Sequence, residues 1–144
     1  MNFITSLLSF AMFNFSGISD CGVKPLFSIT SQSFEPNGPK SGDNVSWTIN
    51  YKVPDGVEIK TATSINSGTI NGFLPIEPTE SDLCEIVECP ILPGEYSSTS
   101  FQIWPDGLSG TKLSLISQWV DDSNNELLCS KVSVVGQRRL RGSK

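Results

Sequence analysis

Asn44-Val45-Ser46-Trp47-Thr48-Ile49-Asn50-Tyr51-Lys52-Val53 is the stretch that decides the fold. Val45, Trp47, Ile49, Tyr51 and Val53 alternate with polar residues along the whole run. A period of two puts every apolar side chain on one face, as in a strand half buried against a core. A helix returns to the same face only every three or four residues, so it would scatter these side chains around its axis. Shorter runs repeat the pattern on either side. Phe27 and Ile29 alternate with Ser28 and Thr30, and Val57, Ile59 and Thr61 with Glu58 and Lys60. Leu113 and Leu115 alternate with Ser114, with Trp119 following in phase through a bulge, and Val132 and Val134 alternate with Lys131 and Ser133. Turn-forming groups separate the runs: Glu35-Pro36-Asn37-Gly38-Pro39, Pro54-Asp55-Gly56, Asn71-Gly72, Pro93-Gly94 and Pro105-Asp106-Gly107. No sustained helical apolar stripe occurs. About seven strands with regular turns predict an all-β chain, an immunoglobulin-like antiparallel β-sandwich. The Cys–Trp–Cys arrangement of an antibody domain fits poorly, because Cys21 precedes the first strand.

Residues 73–93 interrupt this pattern. They hold Pro75, Pro78, Pro90 and Pro93 among eight aliphatic and aromatic residues. Proline cannot donate to a central ladder, so the segment is expected at an edge or in a loop. It is too apolar for a solvated loop, which leaves two readings: a loop folded over the core, or a flap over an apolar site.

The N-terminus reads as an export signal. Residues 4–13 form an apolar stretch of suitable length, and Gly17-Ile18-Ser19 supplies small residues at alternate positions. The stretch is too short for a bilayer span, which takes about 20 apolar residues. A buried N-terminal strand or helix is the competing reading. Cleavage is expected near Ser19, giving a leader over 1–19, one domain over 20–137 and a basic tail over 138–144. The destination is secretion or an endolysosomal or vacuolar lumen. There the four cysteines, Cys21, Cys84, Cys89 and Cys129, are expected to pair. Four cysteines allow three pairings, and the spacing does not choose among them; Cys21 with Cys129 and Cys84 with Cys89 is the simplest. A zinc site would need a second close cysteine pair or histidines, and the chain has no histidine.

Charge and chemistry narrow the function. Residues 20–137 carry six basic against fifteen acidic residues, a net charge of −9. Such a body repels nucleic acid, whose binding depends on phosphate neutralisation. Without histidine there is no Ser-His-Asp triad and no His-ligated metal. There is no G-x-S-x-G elbow and no glycine-rich phosphate or dinucleotide loop. Glu85 and Glu88 beside the close cysteine pair, and Asp121-Asp122 in a turn, could form an acid/base or calcium site, but a solvated acidic surface accounts for them. No catalytic residue, cofactor or metal is therefore expected, and the protein is not expected to be an enzyme. Asn44-Val45-Ser46 is an N-glycosylation sequon with Asn44 turned away from the core, and Asn14-Phe15-Ser16 falls within the leader. The tail, with Arg138, Arg139, Arg141 and Lys144, reads as a disordered end or as a contact for anionic lipid head groups.

Taken in order, several blocks resemble the ML lipid-recognition family, which includes soluble sterol carriers of the Niemann–Pick type C class and phosphatidylglycerol/phosphatidylinositol transfer proteins. The blocks are Asp20-Cys21-Gly22; Gly42 before the Val45 strand; Asn71-Gly72-Phe73-Leu74-Pro75-Ile76; and Cys84-x4-Cys89-Pro90-Ile91-Leu92-Pro93-Gly94 with Tyr96. The last runs from Lys112-Leu113-Ser114-Leu115 through Gln118-Trp119 and Asp121-Asp122 to Leu128-Cys129 and Val132. The likeness spans residues 20–135. It implies two splayed sheets with one sterol or phospholipid chain between them, and the pairings Cys21–Cys129 and Cys84–Cys89. Many members carry another cysteine pair near the first turn, which residues 35–42 lack. By position, the resemblance implies a lipid-binding lining of Leu74 and Ile76 at the mouth, faced by Ile103, Trp104 and Leu108. Phe73 and Phe101 supply rings beside Trp104, and Leu115 and Trp119 complete the set. Sheltering apolar surface there would contribute roughly 25 cal/mol per Å². The implied partners are a sterol or phospholipid, membranes in transient contact and a membrane lipid-transport receptor; nucleic acid is not expected, and the expected state is a monomer. An extracellular interaction module with a filled core, or a lipid-sensing co-receptor of innate-immune type, would show the same alternation.

Overall fold

The computed structural model describes residues 17–137, so the Asn14 sequon, most of the expected leader and the basic tail lie outside it. Eight strands follow one another: β1 Ile18–Asp20, β2 Ser28–Glu35, β3 Asn44–Val53, β4 Ala62–Ile70, β5 Leu74–Asp82, β6 Gly94–Ile103, β7 Lys112–Asp121 and β8 Glu126–Val135. They form two antiparallel sheets, a five-stranded one in the order β1-β8-β7-β4-β5 and a three-stranded one in the order β2-β3-β6. The all-β sandwich expected from the alternation is the observed architecture. The expected leader boundary falls inside β1, whose Ile18 pairs with Val132.

The runs with clean alternation became strands. In β3, Val45, Ile49, Tyr51 and Val53 are buried on one face. In β7, Leu113, Ser117 and Trp119 share a buried face, and the register shift comes after Trp119 rather than before it. One expected strand is absent. Residues 57–61 make only a bridge, with Ile59 exchanging hydrogen bonds with Ile91 at 3.0 and 2.7 Å. This segment lies against the disulfide loop instead of a neighbouring strand, so one contact replaces a ladder. The proline-rich segment is indeed an edge: β5 carries Pro75 and Pro78 and pairs only with β4. Asn71 and Gly72 turn the β4–β5 hairpin with φ of 55° and 82°. Asparagine and glycine adopt that region at little cost. The backbone of Asn71 also ties to Lys112, its N–H donating to the Lys112 carbonyl at 2.7 Å.

One half of the sandwich is filled. Phe27, Ile49, Tyr51, Val53, Ala62, Leu83, Ile91, Trp119, Leu127 and Leu128 form its buried cluster. Tyr51 is the centre of the aromatic packing: it stacks on Phe27 at 5.6 Å and on Tyr96 at 5.6 Å, and meets Trp119 edge-on at 5.1 Å. Leu83 and Ile91 enter this cluster from the loop closed by Cys84–Cys89 (Cα–Cα 5.5 Å). Asp82 caps the single 3-10 turn of that loop, Leu83–Glu85, by accepting from the Cys84 N–H at 2.9 Å. The second bridge joins Cys21 to Cys129, Cα–Cα 5.0 Å, across 108 positions of chain. Both pairings implied by the resemblance are present.

Two measurements follow from this packing. A bridge closing a loop of about 100 residues removes close to 5 kcal/mol of denatured-state entropy on the chain-entropy model. Replacing Cys21 and Cys129 together by serine is expected to lower unfolding free energy by about 2–5 kcal/mol in urea titrations. Burial, with the neighbouring Tyr96 adding to it, pushes the Tyr51 hydroxyl from its ordinary 10.0 up to about 12. The raised value means that the stability linked to this group is complete below pH 10 and is lost as pH climbs from 10 toward 12. Tyr51→Phe should flatten that part of the alkaline unfolding curve.

Candidate functional site

The two long margins of the sandwich are built differently. On one, β2 and the residues before it are tied to β8. The Cys21 N–H donates to the Cys129 carbonyl at 3.1 Å, Leu26 to Glu126 at 3.1 Å and Phe27 to Leu127 at 2.8 Å. Between the layers, the Ser130 hydroxyl donates to the Gln32 side-chain carbonyl. On the other margin, β5 ends one sheet and β6 ends the other, each with a single neighbour. The layers therefore part where β5 and β6 face each other.

Strand register fixes what lines the parting. Val45 pairs with Gln102 and Trp47 with Ser100, so Ser100 and Gln102 share the inward face of the three-stranded sheet. Asn66 pairs with Ser117 on one side and Thr79 on the other, so both Asn66 and Thr79 share the inward face of the five-stranded sheet. Inward residues of a filled sandwich are buried. Here Asn66, Thr79, Ser100 and Gln102 face inward and are still solvent-exposed. A cavity of about 280 Å³ explains this, lined by these four together with Phe34, Val45, Trp47, Ser67, Trp104, Leu115 and Ile116. Gly68, next along the inward face of β4, contributes no side chain; a Cβ there would meet the Ser114 carbonyl oxygen at 2.3 Å.

The floor of the cavity is aromatic. Phe34 meets Trp47 edge-on at 6.2 Å and Trp104 edge-on at 6.4 Å. Trp104 follows β6 and is fixed by its backbone: its N–H donates to Asp43 at 2.8 Å and its carbonyl accepts from Gly42 at 2.9 Å. Its ring belongs to a second buried cluster with Val45, Leu113, Val132 and Val134. Trp47 packs against both clusters, at the border between the filled and open halves. Its indole N–H is buried with no hydrogen-bond partner, and an orphaned donor of this kind costs about 1–3 kcal/mol.

The structure distributes the residues expected from the resemblance over five places. Trp104 and Leu115 line the cavity. Ile76 and Leu108 pack beside it against the second cluster. Leu74, 53% exposed, and Phe73, 79% exposed, sit at the β4–β5 turn. Phe101 and Ile103 occupy the outer face of β6, paired with Ser46 and Asn44, and are 70% and 61% exposed. Their place in the expected lining is corrected by register: inward positions on β6 are even-numbered. Trp119 is also corrected, because it lies in the filled half, 3% exposed against Tyr51. Asn44 begins β3 on the exposed side, where a glycan has room. The sequence reading missed Asn66, Thr79, Ser100 and Gln102; polar residues inside a sandwich give no alternation signal.

Among the described residues, no charged one lines the cavity. Glu85 and Glu88 are exposed on the disulfide loop, away from it. Asp121 organises the β7–β8 turn, accepting from the N–H groups of Ser123 at 2.9 Å and Asn125 at 2.8 Å and from the Asn125 amide at 3.2 Å. Burial raises its pKa, but these bonds outweigh that and hold it below the usual carboxylate range. Among the described residues, no three Cys, Asp or Glu side chains are grouped to hold a metal ion.

A family model described as the ML domain matches residues 16–135. No curated protein matches the chain in sequence. Among solved structures, a Niemann-Pick type C2 protein from Japanese carpenter ant superposes with a TM-score of 0.64 at 14% identity, covering 82% of this chain and 97% of that one. Chicken MD-1 complexed with lipid IVa gives a TM-score of 0.60 at 10% identity, covering 83% and 87%. The C-terminal domain of wzt gives 0.60 at 8% identity, covering 88% and 83%. At these identities the likenesses establish the sandwich fold.

The placement of the β6 side chains can be checked by stability alone. Trp104→Ala should cost about 3–5 kcal/mol in chemical denaturation, as a buried ring is lost. Phe101→Ser and Ile103→Ser should each stay within about 0.5 kcal/mol of the parent, as exposed positions do.

Proposed function

The chain belongs to the ML domain family, and from that premise we propose that it is a lipid carrier, holding the hydrocarbon of one sterol or phospholipid between its sheets and moving it between membranes. The observation that supports this most directly is the unfilled space of about 280 Å³ over an aromatic floor, open between two edge strands that do not pair with each other. A filled interaction module would have closed it. Each sheltered methylene contributes about 0.8 kcal/mol, so roughly ten give about 8 kcal/mol, the free energy of a micromolar complex before ordering costs. That affinity is compatible with exchange. The complex of MD-1 with lipid IVa shows that a sandwich of this shape can hold a lipid.

Uptake in this reading is physical. Lipid enters where β5 and β6 part, near the exposed Phe73 and Leu74, and no bond is made or broken. The two disulfides support residence outside the cytosol, in secretions or an endolysosomal lumen. Membranes are the partners in transfer, with a membrane lipid-transport receptor as a further acceptor of the cargo.

Native mass spectrometry of the protein purified from its own host should reveal one lipid per chain, released on denaturation. Ser100→Phe or Leu115→Trp fills the space and should remove that mass while the circular dichroism stays unchanged. A natively purified protein that carries no lipid and takes none up from vesicles would defeat the carrier reading.

A further inference from the structure

The walls of the cavity differ from its floor. Phe34, Val45, Trp47, Trp104 and Leu115 make an apolar base, whereas the rims presented by β4, β5 and β6 are Asn66, Thr79, Ser100 and Gln102. These are two amides and two hydroxyls, facing one another across the parting, and none of the four has a side-chain hydrogen bond among the described residues. The other exposed polar side chains of the sheets are often paired. Thr48 meets Thr99 at 2.9 Å, and Asn50 donates to Ser31 at 2.8 Å. The buried indole N–H of Trp47, whose ring forms part of the same cavity, is a further donor with no partner. A hydrocarbon between these rims would strip water from both amides and return nothing, at a cost for each unpaired group. An ionic head group would find no counter-charge among the described residues, since no lysine, arginine, aspartate or glutamate of theirs lines the space.

We propose that the ligand seats an uncharged, hydroxyl-bearing head group, of the acylglycerol or glycosyl-ester kind, between the amides of Asn66 and Gln102 and the hydroxyls of Thr79 and Ser100, with its alkyl chain on the aromatic floor. This rests on the carrier reading and narrows it: the polar end of the lipid lies inside the parting. Amides both donate and accept, so a vicinal diol or an ester oxygen satisfies them in several poses. Selectivity then follows hydrogen-bonding capacity, because a site built for hydroxyls rejects analogues that leave its groups unpaired.

The test uses the intrinsic fluorescence of the full chain, in which Trp47 and Trp104 border the cavity. Delipidated protein is titrated with monooleoylglycerol, methyl oleate, oleoyl lysophosphatidic acid and cholesterol. Monooleoylglycerol is expected to bind about tenfold or more tightly than the other three, as one or two net hydrogen bonds provide. The double variant Asn66→Leu/Gln102→Leu should lose that preference, weakening monooleoylglycerol about tenfold while methyl oleate binds as well as before or better. Retention of the fold is followed by circular dichroism, and Ser100→Ala serves as a milder second variant with the same expected direction. Equal affinity for methyl oleate, cholesterol or the lysophosphatidic acid, or a double variant that keeps the preference, overturns this assignment and leaves the carrier reading intact. Failure of all four to bind overturns both.

Discussion

The structure depends on an asymmetry in how its two layers are joined. Along the β2–β8 margin the Ser130–Gln32 contact joins the layers, two backbone hydrogen bonds from Leu26 and Phe27 hold the entry to β2 on β8, and the Cys21–Cys129 bridge fixes the connection between β1 and β2 to β8. Along the β5–β6 margin nothing comparable joins them among the described residues, and each sheet ends there. A sandwich fastened at one margin can part at the other without losing its register. Free edges invite pairing with other chains. Here β5 is protected by Pro75 and Pro78, which cannot donate, and by Glu77 and Glu80.

The same asymmetry divides labour inside the protein. The half beneath the Cys84–Cys89 loop is packed around Tyr51 and holds most of the fully buried side chains. The half beneath Trp104 stays open on one side. Packed interiors resist the loss of even one methylene, so an unfilled space costs stability that the filled half must supply. Trp47 belongs to both halves and transmits the geometry of one to the other. Trp104 is held less by its neighbours in sequence than by backbone bonds to Gly42 and Asp43, which lock the end of β6 against the start of β3.

Cavity chemistry follows from which strands surround it. The tied margin contributes apolar β2 and β3 residues, and the free margin contributes the polar rims of β4, β5 and β6. A guest that satisfies only the floor leaves amides dry, and one that satisfies only the rims leaves Phe34, Trp47 and Trp104 wet. The arrangement therefore suits amphiphiles. The acidic body, with its net charge of −9 over residues 20–137, places no charge within the cavity itself.

Strands β3, β7 and β8 were legible in the sequence because each has an apolar face buried against the other layer, and burial writes a period of two into the residues; of β2 only the start, Phe27 to Thr30, showed that alternation. The two disulfides were legible as a cysteine pattern in a chain expected to be exported, with the pairing supplied by the family likeness. Strand β4 escaped, and Phe101 and Ile103 of β6, placed in the lining by the family likeness, lie on the outer face. The inward positions of these strands at the gap, Asn66, Ser100 and Gln102, are polar, because side chains that meet solvent or a guest need not be apolar. Phe101 and Ile103 were the apolar residues of β6, and alternation alone would turn them inward. Pairing with β3 turned them out, because Val45 and Trp47 had already fixed which face is inside. Sequence by itself thus determined the layers that pack on one another. Only the tertiary structure decided where packing stops, since a cavity is defined by strands from both sheets that share no local pattern.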